Sequence, residues 1–446
     1  MSEHRTSNHS FEITAKFDRR LAWARGGSVR YLVVEVKTSE PDPSRRIEPP
    51  KSLNLALVID VSGSMGGRKL PAAKSAVSGV IDGLGIDDRL NVVSFASDTV
   101  VNLSDTRMDD EGREQANAII RRLASCGQTN LSSGWLKGAE CIAERMENTP
   151  GGQVLNRLVV LSDGQANLGI TAPLELQCHA ARLRTLGIMT SAVGIGDDYD
   201  ATLLQLLAEH GGGRMHDAEH VEEIGEVLLG ELRDSRAAAV DNLTIKMMAP
   251  INVRCTPLGG LPVEHDGETS CVVLGSIPPR TVRKVVFKVQ CPAGKTDEEI
   301  PFTLIANGQV PGREGPESLG PFTMSLAFAE GSRNTDQPRD INIATDVSVA
   351  WHAHVVRVVA RMNRSRERRE ARAYLDRELN WFERYCRDIP DAEPLISELA
   401  RMQRHIDRDW DERTRKEMEL SSYKTSRSDR DHRSSARRHW SERLED

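Results

Sequence analysis

Apolar residues follow two different periods along this chain, and the change of period divides it into regions. In the region 51–235, short apolar runs such as 53–59 and 158–161 alternate with stretches whose apolar residues recur every three to four positions. The short runs are typical of strands buried on both faces, and the longer stretches are typical of amphipathic helices. This alternation predicts an α/β fold with a Rossmann-like, doubly wound parallel sheet.

The region 236–335 has a period of two instead. Val285, Phe287 and Val289 alternate with Lys284 and Lys288, and glycines and prolines separate this run from others like it. Such spacing predicts an antiparallel β-sandwich. Residues 1–50 also contain strand-like runs, with a polar, proline-containing connector at 41–46. We expect these N-terminal strands to complete the β-sandwich from the other side of the α/β region.

Helical spacing returns in the region 345–420, where two amphipathic stretches are separated by Pro390 and Pro394. Residues 421–446 are rich in serine and carry a local excess of arginine and lysine, which predicts a basic, disordered tail. Serines beside arginines resemble kinase targets, and phosphorylation there would cancel positive charge. A kinase or phosphatase acting on this tail is therefore a candidate partner.

Composition and charge limit the possible partners. The 446 residues carry a net charge of -7, and no apolar run has the length of about 18 residues that a membrane span needs. The 7 cysteines include no C-x-x-C pair, which is typical of reduced thiols. These features predict a cytoplasmic protein with no membrane partner, and the acidic balance disfavours nucleic acid as its main partner.

Acidic and hydroxyl residues follow two of the predicted buried strands. One strand runs into Asp60, with Ser62 and Ser64 two and four positions later, and the other runs into Ser162 and Asp163. Ligands of open parallel sheets bind at the carboxyl ends of the strands. All these donors are hard oxygens and only two are carboxylates, so the set favours Mg²⁺ or Mn²⁺ over zinc or copper and, less strongly, over Ca²⁺.

Three segments of the region 51–235 together resemble a known metal site. They are Asp60-Val61-Ser62-Gly63-Ser64-Met65, Gly127-Gln128-Thr129-Asn130-Leu131 and Leu161-Ser162-Asp163-Gly164. In order and spacing they resemble the metal-ion-dependent adhesion site of a von Willebrand factor A domain of the bacterial intracellular type. The flanking β-sandwich is similar to that of bacterial relatives with this domain.

The resemblance implies a ligand set and a function. Ser62, Ser64 and Thr129 would bind the metal through their hydroxyl groups, and Asp60 and Asp163 would bind it directly or through water. In this family, a Glu or Asp of a partner protein fills the remaining coordination position. We therefore expect a non-enzymatic scaffold for protein–protein interaction, in which Mg²⁺ bridges to a partner carboxylate. The same resemblance implies that the strands ending at Asp60 and Asp163 are neighbours.

Two other functions fit parts of the sequence. Asp60 could be the phosphoryl-accepting nucleophile of a metal-dependent phosphatase. Such enzymes usually carry a second aspartate two residues later as the acid/base, and this chain has Ser62 there. The basic tail could bind nucleic acid, in which case binding would depend steeply on salt and would be lost without residues 421–446.

Overall fold

A computed structural model describes most of the chain. The described residues are 9–39, 52–148, 154–163, 166–196, 199–218, 220–266, 269–310, 315–427 and 440–444. The predicted connector at 41–46, Gly164 of the third motif and residues 428–439 of the predicted tail lie outside this part of the chain. None of the described helices is long and apolar enough to cross a membrane.

The strands and helices are numbered along the chain. The strands are β1 Phe11–Phe17, β2 Leu21–Trp23, β3 Ser28–Thr38, β4 Ser52–Asp60, β5 Arg89–Phe95, β6 Thr99–Arg107, β7 Val154–Ser162, β8 Ile188–Ile195, β9 Gly212–Ala218, β10 Val240–Met248, β11 Arg254–Pro257, β12 Val263–Asp266, β13 Thr269–Ile277, β14 Val282–Cys291, β15 Glu299–Gln309 and β16 Pro316–Ala329. The helices are α1 Lys69–Gly83, α2 Asp110–Arg122, α3 Leu131–Asn148, α4 Pro173–Thr185, α5 Ala201–His210, α6 Ile224–Arg236, α7 Gly331–Thr335, α8 Ile341–Arg364, α9 Arg368–Cys386, α10 Glu393–Arg404, α11 Glu412–Arg427 and α12 Trp440–Arg443.

The α/β region is built on a six-stranded sheet in the order β6-β5-β4-β7-β8-β9. Its strands are parallel except for β6, which pairs antiparallel with β5 at one edge. Alternate residues of β4 point to opposite faces: Leu55 and Leu57 pack with helices α1, α2 and α6, whereas Ala56 and Val58 pack with α3, α4 and α5. The predicted doubly wound fold is confirmed.

Two elements of this sheet region carry a weak sequence signal. Helix α2 is mostly polar and buries only Gly112, Ala116 and Ile120, so its apolar stripe is narrow. Strand β9 contains two glycines together with polar residues, and its alternation is therefore hard to recognise. Sequence reasoning did not find either element.

Two further sheets form the predicted β-sandwich. Their strand orders are β1-β3-β14-β11 and β12-β13-β10-β15-β16-β2, and all pairs are antiparallel except β16 with β2. The two sheets enclose one apolar core, to which β3 contributes Leu32 and Val34 and β15 contributes Phe302. The N-terminal strands thus belong to both sheets: β1 and β3 to the smaller one, and β2 to the larger one.

The C-terminal helices cover the outer face of the smaller sheet. Tyr31 and Val33, which alternate with the inward-facing residues of β3, pack against Trp351, Val355 and other apolar residues of α8, α9 and α10. The period of two in β3 therefore serves two cores, one on each face of the strand. This contact joins the helical region to the β-sandwich.

Helix α11 crosses back to the α/β region and covers its edge strand. The Met215 N–H of β9 donates a hydrogen bond to the Tyr423 hydroxyl at 3.1 Å, and Leu420 packs in the same core as α5. Trp440 is buried among the C-terminal helices. The prediction of a disordered tail from residue 421 is therefore wrong for 421–427 and 440–444, because buried aromatic contacts order a segment whose serines and arginines suggested disorder.

Candidate functional site

The two acidic motifs lie side by side because their strands do. Strands β4 and β7 pair in parallel, with Ile59 opposite Leu161, so both chains leave the sheet at the same edge. Asp60 ends β4 and Asp163 follows β7, and both side chains are fully buried. The predicted adjacency of these two strands is confirmed.

Both carboxylate oxygens of Asp60 accept hydrogen bonds. Oδ1 accepts the backbone N–H of Ser62 at 2.8 Å, and Oδ2 accepts the Ser162 hydroxyl at 2.6 Å. Burial raises the pKa of Asp60, and the charge of Asp163 raises it further, although the hydrogen bonds from Ser162 and Ser62 act in the opposite direction. A cation near the two carboxylates would relieve this repulsion.

The hydroxyl groups of the first motif extend from Asp60 towards Asp163. A single turn of 3-10 helix at Gly63–Met65 places the Ser62 and Ser64 hydroxyl oxygens 3.0 Å apart. Ser64 Oγ donates to Asp163 Oδ1 at 2.8 Å. Ser62 is buried, whereas Ser64 is exposed and forms the open side of the cluster. These four side chains therefore form one hydrogen-bonded group that is accessible from solvent at Ser64.

Thr129 lies in a neighbouring loop that the backbone holds against the first motif. The Gly63 N–H donates to the Gly127 carbonyl oxygen at 3.0 Å. Gly127 has φ +69°, and a Cβ on it would lie 2.7 Å from Ser97 Oγ, so this approach requires glycine. Thr129 is buried, and its hydroxyl makes no hydrogen bond to the other four predicted ligands in the described structure. The loop that carries Thr129 is joined to the first motif by the backbone hydrogen bond between Gly63 and Gly127.

Two residues of the site were not found from the sequence. Lys69 Nζ donates to Asp163 Oδ2 at 2.5 Å, and Asn167 exchanges hydrogen bonds of 3.1 Å with the backbone of Thr129. Lysine at the start of a helix is usually solvated, and asparagine is common in loops, so neither residue type carries a specific signal. Only the position of Lys69 five residues after Ser64 links it to the motif.

The donor set suits a hard divalent cation. It offers two carboxylates and three hydroxyl groups, all of them oxygen ligands of the kind that Mg²⁺ binds together with water. Within the described ranges, no group of three or more His, Cys, Asp and Glu side chains is placed to hold a metal. The Lys69 ammonium group already places one positive charge against Asp163. The oxygen donors fit the metal implied by the sequence, and Lys69 would compete with that metal for Asp163.

Comparison with known proteins identifies the α/β region. Residues 54–228 match the family model of the von Willebrand factor type A domain. The solved structure of a von Willebrand factor type A protein from Catenulispora acidiphila superposes with a TM-score of 0.63 at 17% identity, covering 90% of this chain and 92% of that one. This part of the chain is a von Willebrand factor type A domain, and the similarity in fold extends beyond it.

Curated relatives share only part of their length with this chain. Inter-alpha-trypsin inhibitor heavy chain H3 of Mesocricetus auratus is 27% identical over 170 residues, which are 36% of this chain and 19% of the heavy chain. The E3 ubiquitin-protein ligase WAV3 of Arabidopsis thaliana is 35% identical over 147 residues, which are 32% of this chain and 18% of the ligase. Most of each relative lies outside the similarity.

Proposed function

We propose that this chain is a non-enzymatic scaffold that binds a protein partner through a divalent metal. Asp60, Ser62, Ser64, Thr129 and Asp163 would hold Mg²⁺, with Mn²⁺ or Ca²⁺ as possible substitutes, and a partner Glu or Asp would complete the coordination. The observation that carries the proposal is the hydrogen-bonded group formed by both carboxylates and both serines at one edge of the sheet. Type A domains commonly act as metal-dependent interaction modules, which supports this function.

The chain's own residues would orient and neutralise the site. Ser162 and the Ser62 N–H fix the Asp60 carboxylate, while Lys69 and Ser64 fix that of Asp163. A bound divalent ion supplies positive charge to which a partner carboxylate can bind directly. Because Ser64 is exposed and the other groups are buried, a partner would approach from the side of Ser64.

Burial of Asp60 argues against the phosphatase alternative. A nucleophilic carboxylate must reach the substrate phosphorus, but the Asp60 side chain is fully buried and each of its oxygens accepts a hydrogen bond. The ligase activity of the plant relative belongs to a protein of which 18% aligns with this chain. We therefore propose no catalytic role for the site.

The experiment is an affinity pull-down from native lysate with either Mg²⁺ or EDTA, read by mass spectrometry. The proposal requires a protein that is retained with Mg²⁺, released by EDTA and lost from the Asp60→Ala variant. The matched control is Asp87→Ala, which removes an exposed carboxylate outside the site and should retain that protein. The proposal would be contradicted if the retained proteins were the same with EDTA as with Mg²⁺ and the same for Asp60→Ala as for the wild type. Mg²⁺-dependent hydrolysis of a generic phosphate ester would instead support the phosphatase.

A further inference from the structure

A cleft lies where the α/β region, the β-sandwich and the C-terminal helices meet. We call it the junction cleft; its walls are helices α4 and α5, the loop at 260–263 and the C-terminal end of α8. Its volume is about 510 Å³, within the range of small-molecule sites in proteins. Sequence reasoning gave no indication of it, because its walls come from distant parts of the chain.

Three arginines of α8 line the junction cleft, and two of them have carboxylate partners. Arg357 is buried, pairs with Glu209 Oε2 at 3.1 Å and donates to the carbonyl oxygen of Gly260 at 2.9 Å. Arg364 pairs with Glu412 at 2.7 Å and with Glu419 at 2.8 Å. These pairs join α8 to α5 and α11, and Glu412 is shared with Arg415.

Arg361, the third arginine, has no such partner. Between its neighbours on α8, its guanidinium group makes no hydrogen bond or ion pair with any of the described residues. Partial burial and the charge of Arg357 lower its pKa, so an added negative charge would be favourable there. The charges of Glu419 and Glu209 act in the opposite direction on this pKa, but these carboxylates are already paired with Arg364 and Arg357.

Other polar side chains of the junction cleft also have unused hydrogen-bonding capacity. The side chains of Gln177 on α4, His210 on α5 and Ser365 after α8 make no hydrogen bond within the described structure. Burial lowers the pKa of His210, so its ring is neutral near pH 7 and can donate one hydrogen bond. Convergence of such groups on one cavity, around a cation without an ion-pair partner, is typical of a ligand site.

We propose that the junction cleft binds a small anionic molecule through a phosphate or carboxylate group. The anion would pair with Arg361. Gln177 and His210 would supply neutral hydrogen bonds from α4 and α5, and Ser365 would supply one from the end of α8. Charge-assisted hydrogen bonds from guanidinium suit both phosphate and carboxylate. Because the walls belong to three regions of the fold, the bound molecule would strengthen their attachment to one another. This site is separate from the proposed metal site and does not depend on it.

The test is isothermal titration calorimetry at low salt, in buffer freed of divalent metal and without added chelator, because a chelator such as EDTA is itself a polycarboxylate. Inorganic phosphate and citrate are the two probes, and they distinguish phosphate from carboxylate chemistry. The expected result is saturable binding of at least one probe, weakened about tenfold or more in Arg361→Gln. The control, Arg369→Gln, removes the same charge from an exposed position on α9 and should leave the affinity within about twofold.

Either of two outcomes overturns the proposal. One is the absence of saturable binding by both probes up to roughly 20 mM, a concentration at which even a weak specific site would fill. The other is an equal loss of affinity in Arg361→Gln and Arg369→Gln, which would indicate attraction by net charge alone. Arg361 is only partly buried and makes no hydrogen bond or ion pair with described residues, so its replacement should leave the thermal midpoint unchanged; a melting curve of each variant checks this.

Discussion

The ammonium group of Lys69 lies 2.5 Å from Oδ2 of Asp163, so the candidate metal site contains a cation of its own. Lys69 begins helix α1, and within the described ranges it is the cation that pairs with the fully buried Asp163. A divalent ion bound at the same carboxylate would have to share it with the lysine. The two cations repel each other, and this repulsion must reduce the affinity for metal.

Replacing Lys69 with methionine should therefore tighten metal binding. The substitution keeps the length of the side chain and removes both the repulsion and the competing hydrogen bond. We expect the affinity for Mn²⁺, measured by electron paramagnetic resonance of the free ion, to rise about tenfold. Lys74→Met is the control, because Lys74 lies further along α1 and donates to a backbone carbonyl. Unchanged or weaker binding in Lys69→Met would show that the lysine does not compete.

Removing the exposed hydroxyl of Ser64 should weaken metal binding without unfolding the protein. Ser64→Ala deletes a proposed ligand and the hydrogen bond to Asp163, but it leaves no buried cavity. We expect about tenfold weaker Mn²⁺ binding and a loss of stability below about 1 kcal/mol. Ser104→Ala, at an exposed position on β6, should change neither quantity. Wild-type affinity in Ser64→Ala would remove this serine from the ligand set.

The fold class and the meeting of the two acidic motifs could be predicted because both depend on local pattern. A strand buried on both faces needs a continuous apolar run, as in β4, and parallel neighbours end at the same edge of a sheet. Asp60 and Asp163 then lie close together without any detailed knowledge of the loops. That the five motif residues bind metal remains a prediction.

Other features depend on long-range contacts that have no local pattern. Lys69 reaches Asp163 across 94 positions, and Arg357 reaches Glu209 across 148. Tyr423 meets the edge strand β9 across 208 positions, in a segment whose composition suggested disorder. Long polar side chains are normally solvated, so only the tertiary structure reveals which of them are buried and paired.

The buried Glu231 should make stability depend on acid pH. Burial alone would raise the pKa of Glu231, but the hydrogen bond and charge of His216, the charge of Arg214 and the hydroxyl of Ser191 lower it to about 2. A carboxyl group with a lowered pKa in the folded state stabilises the protein fully above its unfolded pKa of about 4.5. This contribution is lost as the pH falls from there towards 2.

Urea unfolding of the wild type and of Glu231→Gln measures this contribution. The free energy of unfolding of the wild type should exceed that of the variant, and the difference should shrink by about 2 kcal/mol between about pH 6 and pH 3. Burial also lowers the pKa of His354 to about 4, which destabilises both proteins in acid and cancels in the difference. A difference that stays constant with pH would contradict the lowered pKa of Glu231.

Helix α11 should protect the edge of the type A domain through Tyr423. The tyrosine is buried, and its hydroxyl accepts the Met215 N–H of the edge strand β9 at 3.1 Å. Tyr423→Phe would leave that buried N–H without this partner, which we expect to lower the free energy of unfolding by about 1–2 kcal/mol. Unpaired edge strands also open more readily, so amide exchange at Met215 should become faster.

Tyr374→Phe provides the matched control for this edge contact. It removes a tyrosine hydroxyl from the same helical region, and that hydroxyl makes no hydrogen bond within the described structure. Hydrogen–deuterium exchange with mass spectrometry should show faster exchange of the peptide containing residues 212–218 in Tyr423→Phe but not in Tyr374→Phe. If both variants behave like the wild type, the Tyr423 hydroxyl does not hold β9. Packing of Leu420 and its neighbours would then be what attaches α11 to the domain.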